Sequence, residues 1–378
     1  MHPLPKRYDA SPLLLFWEMT RACPLACAHC RARAQSTSLP GELTTDESEK
    51  FLDDVAGFGK PAPILVMTGG DPLARSDTFE LLERTRTHGM RVALAPAVSP
   101  SLDRAKLDRL RDLGVSAVSI SLDGASPETH DAIRRVPGHF LRTLDTLHGL
   151  VRAGFTVQVN TTVMRRNAED LAGVAALLRS IGVHVWEVFF LVQVGRGTEV
   201  SELEPRECED VAHFLFDSAR YGFTVRTVEA PFFRRVVSWR LDAPEGEDPV
   251  KRFGCGPLYE RLSAKLREQL GEPTTAPKAT SAGTRDGNGI LFVAHDGTVY
   301  PAGFLPLELG NVRRSSIVEL YRTHPTLTAI RGASFHGRCG RCEFRTVCGG
   351  SRSRAFASSG DVLGDDPACI YVPPVSPS

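Results

Sequence analysis

Three cysteines near the start of the chain, Cys23, Cys27 and Cys30, have the residue type and spacing to hold an iron–sulfur cluster. A [4Fe–4S] cube normally takes four cysteine thiolates, so a loop with three leaves one iron open to bind a small molecule. Zinc is the alternative, because short cysteine spacings often mark zinc sites. Zinc needs a fourth ligand, usually from a second pair nearby, and no such pair follows before residue 200. The loop therefore favours an iron–sulfur site.

The elements that position this loop follow a repeating β/α pattern. Apolar runs typical of buried strands cover residues 13–17, 64–67, 92–95, 117–122, 156–163 and 185–192. Segments with apolar residues at helical spacing separate them, over residues 46–57, 77–88, 102–113, 140–153 and 168–181. Six such units predict an α/β fold with a parallel sheet, curled into a partial (β/α)6 TIM-like barrel. Ligands of such folds bind at the carboxyl ends of the strands, where the cysteine loop begins.

The spacing Cys-x-x-x-Cys-x-x-Cys, with His29 before the last cysteine, resembles the signature of the radical SAM enzymes. The resemblance implies that the open iron of a [4Fe–4S] cluster binds the amino and carboxylate groups of S-adenosyl-L-methionine. It also implies reductive cleavage of this cofactor to a 5′-deoxyadenosyl radical, which abstracts hydrogen from a substrate. His29 would then lie beside the adenine.

A second cofactor-binding motif follows the second predicted strand. Thr68-Gly-Gly-Asp-Pro72 resembles the family's Gly-Gly-Glu-Pro motif, with Asp71 in place of glutamate. Gly69 and Gly70 let the backbone come close to a ligand, and carbonyls there would accept hydrogen bonds from the ammonium of the cofactor. The change from glutamate to aspartate keeps the charge and shortens its reach.

Polar residues near the ends of the fourth and fifth predicted strands complete the predicted pocket. Ser121 lies near the end of the fourth strand, and Arg134 lies in a segment that resembles the family's His-Asp-x-x-Arg stretch. The resemblance implies that this serine and arginine contact the ribose or the carboxylate of the cofactor, and a guanidinium suits a carboxylate. A solvated arginine is the alternative for Arg134. Asn160 and Thr162, on the fifth strand, suit hydrogen bonding to ribose hydroxyls.

Four more cysteines, Cys339, Cys342, Cys348 and Cys369, form a second candidate metal site. Their spacing fits either zinc or an iron–sulfur cluster. A predicted β-hairpin over residues 290–301, with an Asp-Gly turn, precedes them. Hairpin and cysteines together resemble the SPASM extension that follows many radical SAM barrels and carries auxiliary clusters.

The resemblance to the SPASM extension is incomplete. Two cysteines that the extension uses for its first auxiliary cluster are Ala302 and Arg352 here. We therefore predict a shortened, SPASM-like fold with a single auxiliary [4Fe–4S] cluster, held by the four cysteines. Arg352 is predicted to face the barrel mouth and to pair with an anionic group of the substrate. Compensation of cluster charge, or a solvated surface, is the alternative for the arginines of this segment.

Cys255 belongs to neither cysteine set. It lies between two glycines in Phe253-Gly-Cys-Gly-Pro257, and glycines allow close approach of backbone to a ligand. We predict for Cys255 a place near a cluster or a catalytic role as hydrogen-atom donor to a substrate radical. A loop cysteine without function is the alternative.

Composition and charge narrow the choice of partners. The 378 residues carry 45 Lys and Arg against 45 Asp and Glu, and 42% are hydrophobic. Balanced charge argues against a nucleic-acid partner, and no apolar run has the length of a membrane span or a signal peptide. We therefore predict a cytoplasmic protein, where nine cysteines are more typical of metal ligands than of disulfides. The predicted regions are a barrel over residues 1–230, a connecting segment and linker over 231–289, and the SPASM-like domain over 290–378.

The resemblance implies a radical SAM enzyme that oxidises a small molecule by decarboxylation, dehydrogenation or cross-link formation, because a fully thiolate-ligated auxiliary cluster would accept an electron. The chain looks closest to the group with the haem-forming propionate decarboxylases and the peptide maturases. A ribosomal-peptide maturase and an epimerase that uses Cys255 are alternatives. A non-catalytic metal-binding or redox-sensing protein is the alternative outside the enzymes. The predicted partners are a small-molecule or peptide substrate and an electron donor such as flavodoxin or ferredoxin.

Overall fold

The predicted β/α units are present in the computed structural model, which describes residues 7–244 and 246–374. The strands of these residues are β1 (Leu14–Glu18), β2 (Ile64–Thr68), β3 (Val92–Leu94), β4 (Ala117–Ser121), β5 (Thr156–Val163), β6 (Val185–Phe190), β7 (Thr224–Val228), β8 (Ile290–Val293), β9 (Thr298–Tyr300) and β10 (Gly310–Asn311). The first six match the predicted strands to within about two residues at each end.

Helices separate the strands as predicted. In the described ranges they are α1 (Thr45–Ala56), α2 (Thr78–Thr87), α3 (Arg104–Asp112), α4 (Pro127–Arg134), α5 (His139–Arg152), α6 (Leu171–Ile181), α7 (Pro205–Ser218), α8 (Phe233–Asp242), α9 (Pro249–Phe253), α10 (Pro257–Leu270), α11 (Ile317–Thr323), α12 (Pro325–Arg331), α13 (Gly337–Arg341) and α14 (Arg352–Ser359). The five predicted helices correspond to α1, α2, α3, α5 and α6. None of the helices in the described part of the chain is long and apolar enough to cross a membrane.

The strands form one sheet in the order β10-β9-β8-β1-β2-β3-β4-β5-β6-β7. Neighbouring strands from β1 to β7 are parallel, as in a partial β/α barrel. β8 pairs in parallel with β1, and β9 and β10 follow antiparallel. The predicted hairpin therefore continues the sheet of the barrel. The domain boundary at residue 290, between the connecting segment and the SPASM-like domain, stays a prediction.

The two faces of the parallel sheet differ in burial. Leu65, Val118 and Val159 are fully buried on one face, in a core that also contains residues of the helices. Their neighbours along each strand point to the opposite face and are half-buried. They include these polar residues: Thr68, Ser119, Ser121, Gln158, Asn160, Thr162 and Glu187. The half-buried face is the inside of the partial barrel, where a ligand would bind.

Local signals fix the helices that border the site. α1 begins at a capping box, in which Thr44 Oγ1 accepts from Glu47 N and the Glu47 carboxylate accepts from Thr44 N. The Ser126 side chain caps the start of α4. α4 ends where Arg135 adopts a left-handed conformation with φ of 58°. This stop makes Arg134 the last residue of a short helix that follows β4.

Candidate active site

The cysteine loop continues directly from the carboxyl end of β1. Cys23 and Cys27 are each 8% exposed, and Cys30 is half-buried. Backbone amides donate to two sulfurs, with Leu25 N 3.4 Å from Cys23 Sγ and Ala34 N 3.5 Å from Cys30 Sγ. Burial raises the pKa of the Cys23 thiol to about 12, and the nearby Cys27 adds to this effect. Amide donors of this kind stabilise and tune thiolates that ligate iron.

Gly69 and Gly70 hold the cofactor motif against the cysteine loop. A Cβ on Gly69 would lie 2.5 Å from Thr20 O, and a Cβ on Gly70 would lie 2.2 Å from Ala22 O. Hydrogen bonds join the two segments, from Gly70 N to Thr20 O at 2.7 Å and from Asp71 N to Ala22 O at 2.7 Å. Glycine is therefore required at both positions because the backbone of this motif lies against the backbone of the cysteine loop. The sequence predicted a different reason, the close approach of the backbone to a ligand.

Asp71 is fully buried beside this contact. Its carboxylate accepts hydrogen bonds from Leu73 N (3.1 Å), Ala97 N (3.4 Å) and Ser99 Oγ (3.2 Å). Burial raises the pKa of the Asp71 carboxyl. The Asp71 carboxylate is therefore surrounded by hydrogen-bond donors of the chain itself. Replacing Asp71 would affect cofactor binding by changing the position of the cysteine loop. The role of Asp71 in cofactor binding stays a prediction.

An ion pair between Arg134 and Asp123 lies beside the cysteine loop. Arg134 Nη2 is 2.5 Å from Asp123 Oδ2, and Arg134 Nη1 donates to Cys27 Sγ at 3.4 Å. Both side chains are buried. Burial would raise the pKa of Asp123, but the guanidinium outweighs this and holds the pKa below its usual value. Arg134 thus links a carboxylate to a candidate cluster ligand.

Asp123 is a site residue that the sequence motifs did not single out, although it is the acid of Ser119-Ile-Ser-Leu-Asp-Gly124. Its Oδ1 accepts from Thr162 N at 2.8 Å, and its Oδ2 lies 3.6 Å from His29 Nε2. The carboxylate therefore joins the ends of β4 and β5 to the cysteine loop. Burial lowers the pKa of His29 to about 4, so its imidazole is neutral at pH 7.

A turn after β6 holds the loop from another side. Arg196 N donates to Cys30 O at 3.0 Å, and Arg196 Nε donates to Cys27 O at 2.8 Å. Gly195, with φ of 58°, permits this approach, since a Cβ there would lie 2.2 Å from Arg31 O. Arg196 and Cys27 are 169 residues apart in sequence, so no local pattern could indicate the contact.

Several buried polar atoms around the loop have no hydrogen-bond partner among the described residues, and they include the nitrogens His29 Nδ1, Arg134 Nε and Arg196 Nη2. Buried polar atoms are normally satisfied, so each unsatisfied one needs an explanation. An anionic cluster beside the three thiols, with a cofactor that carries a carboxylate, would satisfy such atoms. The residues present therefore fit both groups.

Glu18 connects the cysteine loop to the hairpin. Its carboxylate, at the end of β1, is bound by Arg31 of the loop and, at 2.8 Å, by His295 Nδ1 of the hairpin turn. Arg31 also lies 4.5 Å from the centroid of the Phe292 ring in β8. Burial alone would raise the pKa of Glu18, but Arg31 and His295 hold it at about 2. The loop and hairpin are thus joined by a buried ionised group.

Ser121, Asn160 and Thr162 lie on the inner face of the sheet, where a cofactor could reach them. Ser121 is the registered partner of Asn160 in the β4–β5 pair. Asn160 Oδ1 accepts from Gln158 Nε2 at 2.8 Å. Contact of these three side chains with ribose hydroxyls stays a prediction.

The second cysteine set surrounds one cavity. Cys339, Cys342, Cys348 and Cys369 all line the same small cavity, of about 30 Å³. Other residues that line it are Arg235, Arg338, Phe344, Arg345, Asp365, Asp366 and Tyr371. Four thiols around one space suit the donor set of a [4Fe–4S] cluster or of zinc. Over residues 7–244 and 246–374, no three His, Cys, Asp or Glu side chains are arranged to hold a single metal ion.

Arg235 supplies a buried cation to the wall of this cavity. It forms two hydrogen bonds to the Glu209 carboxylate, at 2.8 and 2.7 Å. Its guanidinium also lies 4.3 Å from the centroid of the Trp239 ring. Arg235 is fixed by these contacts, so its charge is held close to the thiols, where it would offset the negative charge of a bound cluster.

Arg352 does not face the barrel mouth. It is fully buried, and Nη1 donates to Val362 O (3.1 Å) and Gly364 O (2.7 Å). Nη2 lies 3.7 Å from Cys339 Sγ, and the guanidinium lies 4.5 Å from the Phe335 ring centroid. These contacts give no support to the predicted substrate contact, which stays a prediction. Arg352 instead donates toward a candidate cluster ligand.

Arg352→Lys is therefore expected to weaken the second cysteine site. A single ammonium cannot donate to two carbonyls and a thiolate in the geometry of a guanidinium. Losing one such charged hydrogen bond should lower the free energy of unfolding by about 1–3 kcal/mol and speed iron release to a chelator. Anaerobic denaturation and iron-release kinetics measure both, with the exposed Arg341→Lys as control. A higher KM for the substrate with unchanged iron retention would instead support the predicted contact between Arg352 and the substrate.

Cys255 is not brought to either cysteine set. It is 6% exposed, between α9 and α10, in the layer of helices outside the sheet. The next residue, Gly256, donates from its N–H to Asp210 of α7 at 2.6 Å. Burial raises the pKa of the Cys255 thiol to about 12. This placement gives no support to a hydrogen-donor role, which stays a prediction.

Comparison with known proteins places this site in a family. Residues 17–178 match the sequence profile of the Radical SAM superfamily. The chain is 36% identical over 368 residues to the AdoMet-dependent heme synthase of Methanosarcina barkeri, a match that covers 96% of this chain and 97% of that protein. It is 28% identical over 367 residues to Mycofactocin maturase MftC of Mycobacterium ulcerans, with 95% and 88% covered. The chain therefore belongs to the radical SAM superfamily and is an enzyme. This family implies S-adenosyl-L-methionine and a [4Fe–4S] cluster.

The fold agrees with that assignment. The structure of Streptococcus suis SuiB bound to S-adenosylmethionine superposes with a TM-score of 0.67, at 13% identity, over 96% of this chain and 78% of that one. At this identity the likeness shows the fold alone. The predicted α/β partial-barrel class is confirmed, as is the predicted likeness to haem-forming enzymes and peptide maturases.

Proposed function

We propose that the protein is a haem-forming enzyme that oxidatively decarboxylates propionate side chains of an iron porphyrin. The observation that carries this proposal is the 36% identity to the AdoMet-dependent heme synthase over almost all of both chains. Haem bears vinyl groups, and a propionate becomes a vinyl group when it loses one hydrogen atom, carbon dioxide and one electron. This reaction is a small-molecule oxidation of the kind that the motifs predict.

The cysteine loop would hold the cluster through Cys23, Cys27 and Cys30, with the cofactor on the inner face of the sheet. The residues proposed to bind the cofactor are His29, Gly69, Gly70, Asp71, Ser121, Arg134, Asn160 and Thr162. When bound, cluster and cofactor supply hydrogen-atom abstraction. Arg134, held by Asp123, keeps a positive charge at Cys27, where it would offset the negative charge of a bound cluster.

We further propose one auxiliary [4Fe–4S] cluster in a SPASM-like domain over residues 290–378, after a barrel over 1–230 and a connecting segment over 231–289. Its support is the convergence of four cysteines on one cavity, with buried cations at Arg235 and Arg352. Oxidative decarboxylation releases one electron that must leave the substrate. A cluster with four protein thiolates is suited to take up that electron, whereas zinc has no redox chemistry.

Two features of the proposal concern partners. Reduction of the cluster needs a one-electron donor, and we propose a flavodoxin or ferredoxin. A peptide substrate is the second candidate, because the chain is also 28% identical to Mycofactocin maturase MftC over 95% of its length. Identity to the heme synthase is higher, so the porphyrin ranks first.

Anaerobic turnover tests the proposed reaction. The protein, with reconstituted clusters, S-adenosyl-L-methionine and dithionite, is incubated with iron coproporphyrin III, a porphyrin with four propionates. Mass spectrometry should show stepwise loss of carbon dioxide to haem and one 5′-deoxyadenosine for each propionate converted. Deuterium on the propionate should appear in 5′-deoxyadenosine. Cofactor cleavage without any change in the porphyrin would contradict the proposal and favour a peptide substrate.

A further inference from the structure

A row of polar side chains crosses four neighbouring strands on the inner face. Strand register pairs Ser121 with Asn160, Asn160 with Glu187, and Glu187 with Arg226. Registered partners in a sheet point to the same face, so the four side chains lie side by side. The row begins with two residues proposed to bind the cofactor and ends at Arg226 on the edge strand β7.

Arg226 lies beside Glu187 at this end of the row, and the charge of Arg226 acts on the Glu187 carboxyl. Its side chain is exposed, and within the described ranges it has neither a hydrogen bond nor an ion pair. Its neighbour Glu187 instead accepts a hydrogen bond from Gln158 Nε2 at 2.9 Å. Burial raises the pKa of the Glu187 carboxyl, and the nearby Arg226 charge opposes this rise. The N–H groups of the Arg226 guanidinium are therefore not used by Glu187 and stay open to a ligand at the end of the row.

The position of the row suits a substrate rather than the cofactor alone. Phe189, two residues after Glu187 on the same face of β6, lies 6.0 Å from Phe304 between ring centroids. Phe304 belongs to the loop after β9, in the cysteine-rich extension. The inner face near Arg226 is therefore bounded by aromatic rings from both the sheet and the extension, and flat aromatic ligands pack well against such rings.

We propose that Arg226 binds a carboxylate of the substrate on the inner face of β7. The inference rests on the proposed function, and it specifies the substrate as an anionic, carboxylate-bearing molecule that lies between β7 and Phe304. A guanidinium presents two parallel N–H groups to a carboxylate, and Arg226 has both free among the described residues. The contact would hold a propionate that is not reacting while another is presented to the cofactor.

Equilibrium binding of iron coproporphyrin III measures this contact without turnover. Arg226→Gln is expected to raise the dissociation constant by about 10- to 100-fold, since a charge-assisted pair is lost. Arg226→Lys should recover only part of the affinity, because an ammonium cannot form the two-point contact. The tetramethyl ester of the same porphyrin should bind wild type and Arg226→Gln equally. Arg152→Gln, an exposed arginine at the end of α5 outside the sheet, serves as the control and should bind as wild type does.

The outcomes separate the two proposals. Equal affinity of wild type and Arg226→Gln for the free porphyrin overturns the role of Arg226 and leaves the proposed function standing. A wild type that binds neither porphyrin overturns the proposed function and the inference with it. A similar loss in Arg226→Gln and Arg152→Gln assigns the effect to overall charge and also overturns the inference. Unchanged thermal unfolding of Arg226→Lys shows that a loss in that variant is not a folding defect.

Discussion

Replacing Cys23, Cys27 and Cys30 by alanine is expected to abolish cleavage of S-adenosyl-L-methionine and to halve the iron content. With two clusters of four irons, wild type should hold about eight irons per chain and the triple variant about four. Cys23 and Cys27 are buried, and a backbone amide and Arg134 donate to their thiols, so alanine at these positions would remove ligands that the fold holds in place. Anaerobic reconstitution, iron analysis and 5′-deoxyadenosine formation measure both effects.

The second cysteine set is the matched counterpart of this experiment. Changing Cys339, Cys342, Cys348 and Cys369 together should also leave about four irons, yet retain cofactor cleavage and lose the oxidised product. Cys208→Ala, at a buried cysteine of α7 outside both sets, should keep the full iron load. A triple variant that retains about eight irons, or a wild type with one zinc per chain, would refute the two-cluster assignment.

The strands of the barrel could be predicted because each carries its own local signal. Strands β1, β2 and β6 are buried on one face and half-buried on the other, so they read as short apolar runs between helical segments. β7 escaped prediction, since Thr224–Val228 lies at the edge of the sheet and has only two apolar residues, which do not alternate with the polar ones. The hairpin was predicted, but its pairing with β1 joins residues about 275 positions apart and has no local signature.

Residues of the candidate site could likewise be predicted where the signal is local, and could not be predicted where it depends on the folded chain. The cysteines and the glycine motif could be found because their chemistry depends on spacing within a short segment. The burial of Arg352 was not predicted, because exposure is the usual state of arginine and its partners Val362, Gly364 and Cys339 converge only in the folded chain. Asp123 was given no role from the sequence, since its charge partner lies on the following helix.

Asp123→Asn is expected to be among the most destabilising single changes in the chain. Asn has nearly the same shape but no charge, so the buried Arg134 guanidinium would lose its carboxylate. Breaking a buried pair in this way costs about 3–5 kcal/mol, and anaerobic denaturant unfolding at pH 7 measures it. Cofactor binding should weaken as well, because Arg134 would no longer be held at Cys27 and the Thr162 backbone would lose its acceptor charge.

The dependence on pH distinguishes loss of charge from loss of shape. Arg134 holds the pKa of Asp123 below its usual value despite burial, so the ionised carboxylate contributes its full stability above the unfolded pKa, about 3.9. That contribution is lost as pH falls through the folded pKa, so the gap between wild type and Asp123→Asn should narrow below about pH 4. Asp108→Asn removes two exposed ion pairs of α3, with Arg104 and Arg111, and should cost at most about 1 kcal/mol. An equal cost for the two variants at pH 7, or a gap that does not change with pH, would show that Asp123 acts through packing rather than charge.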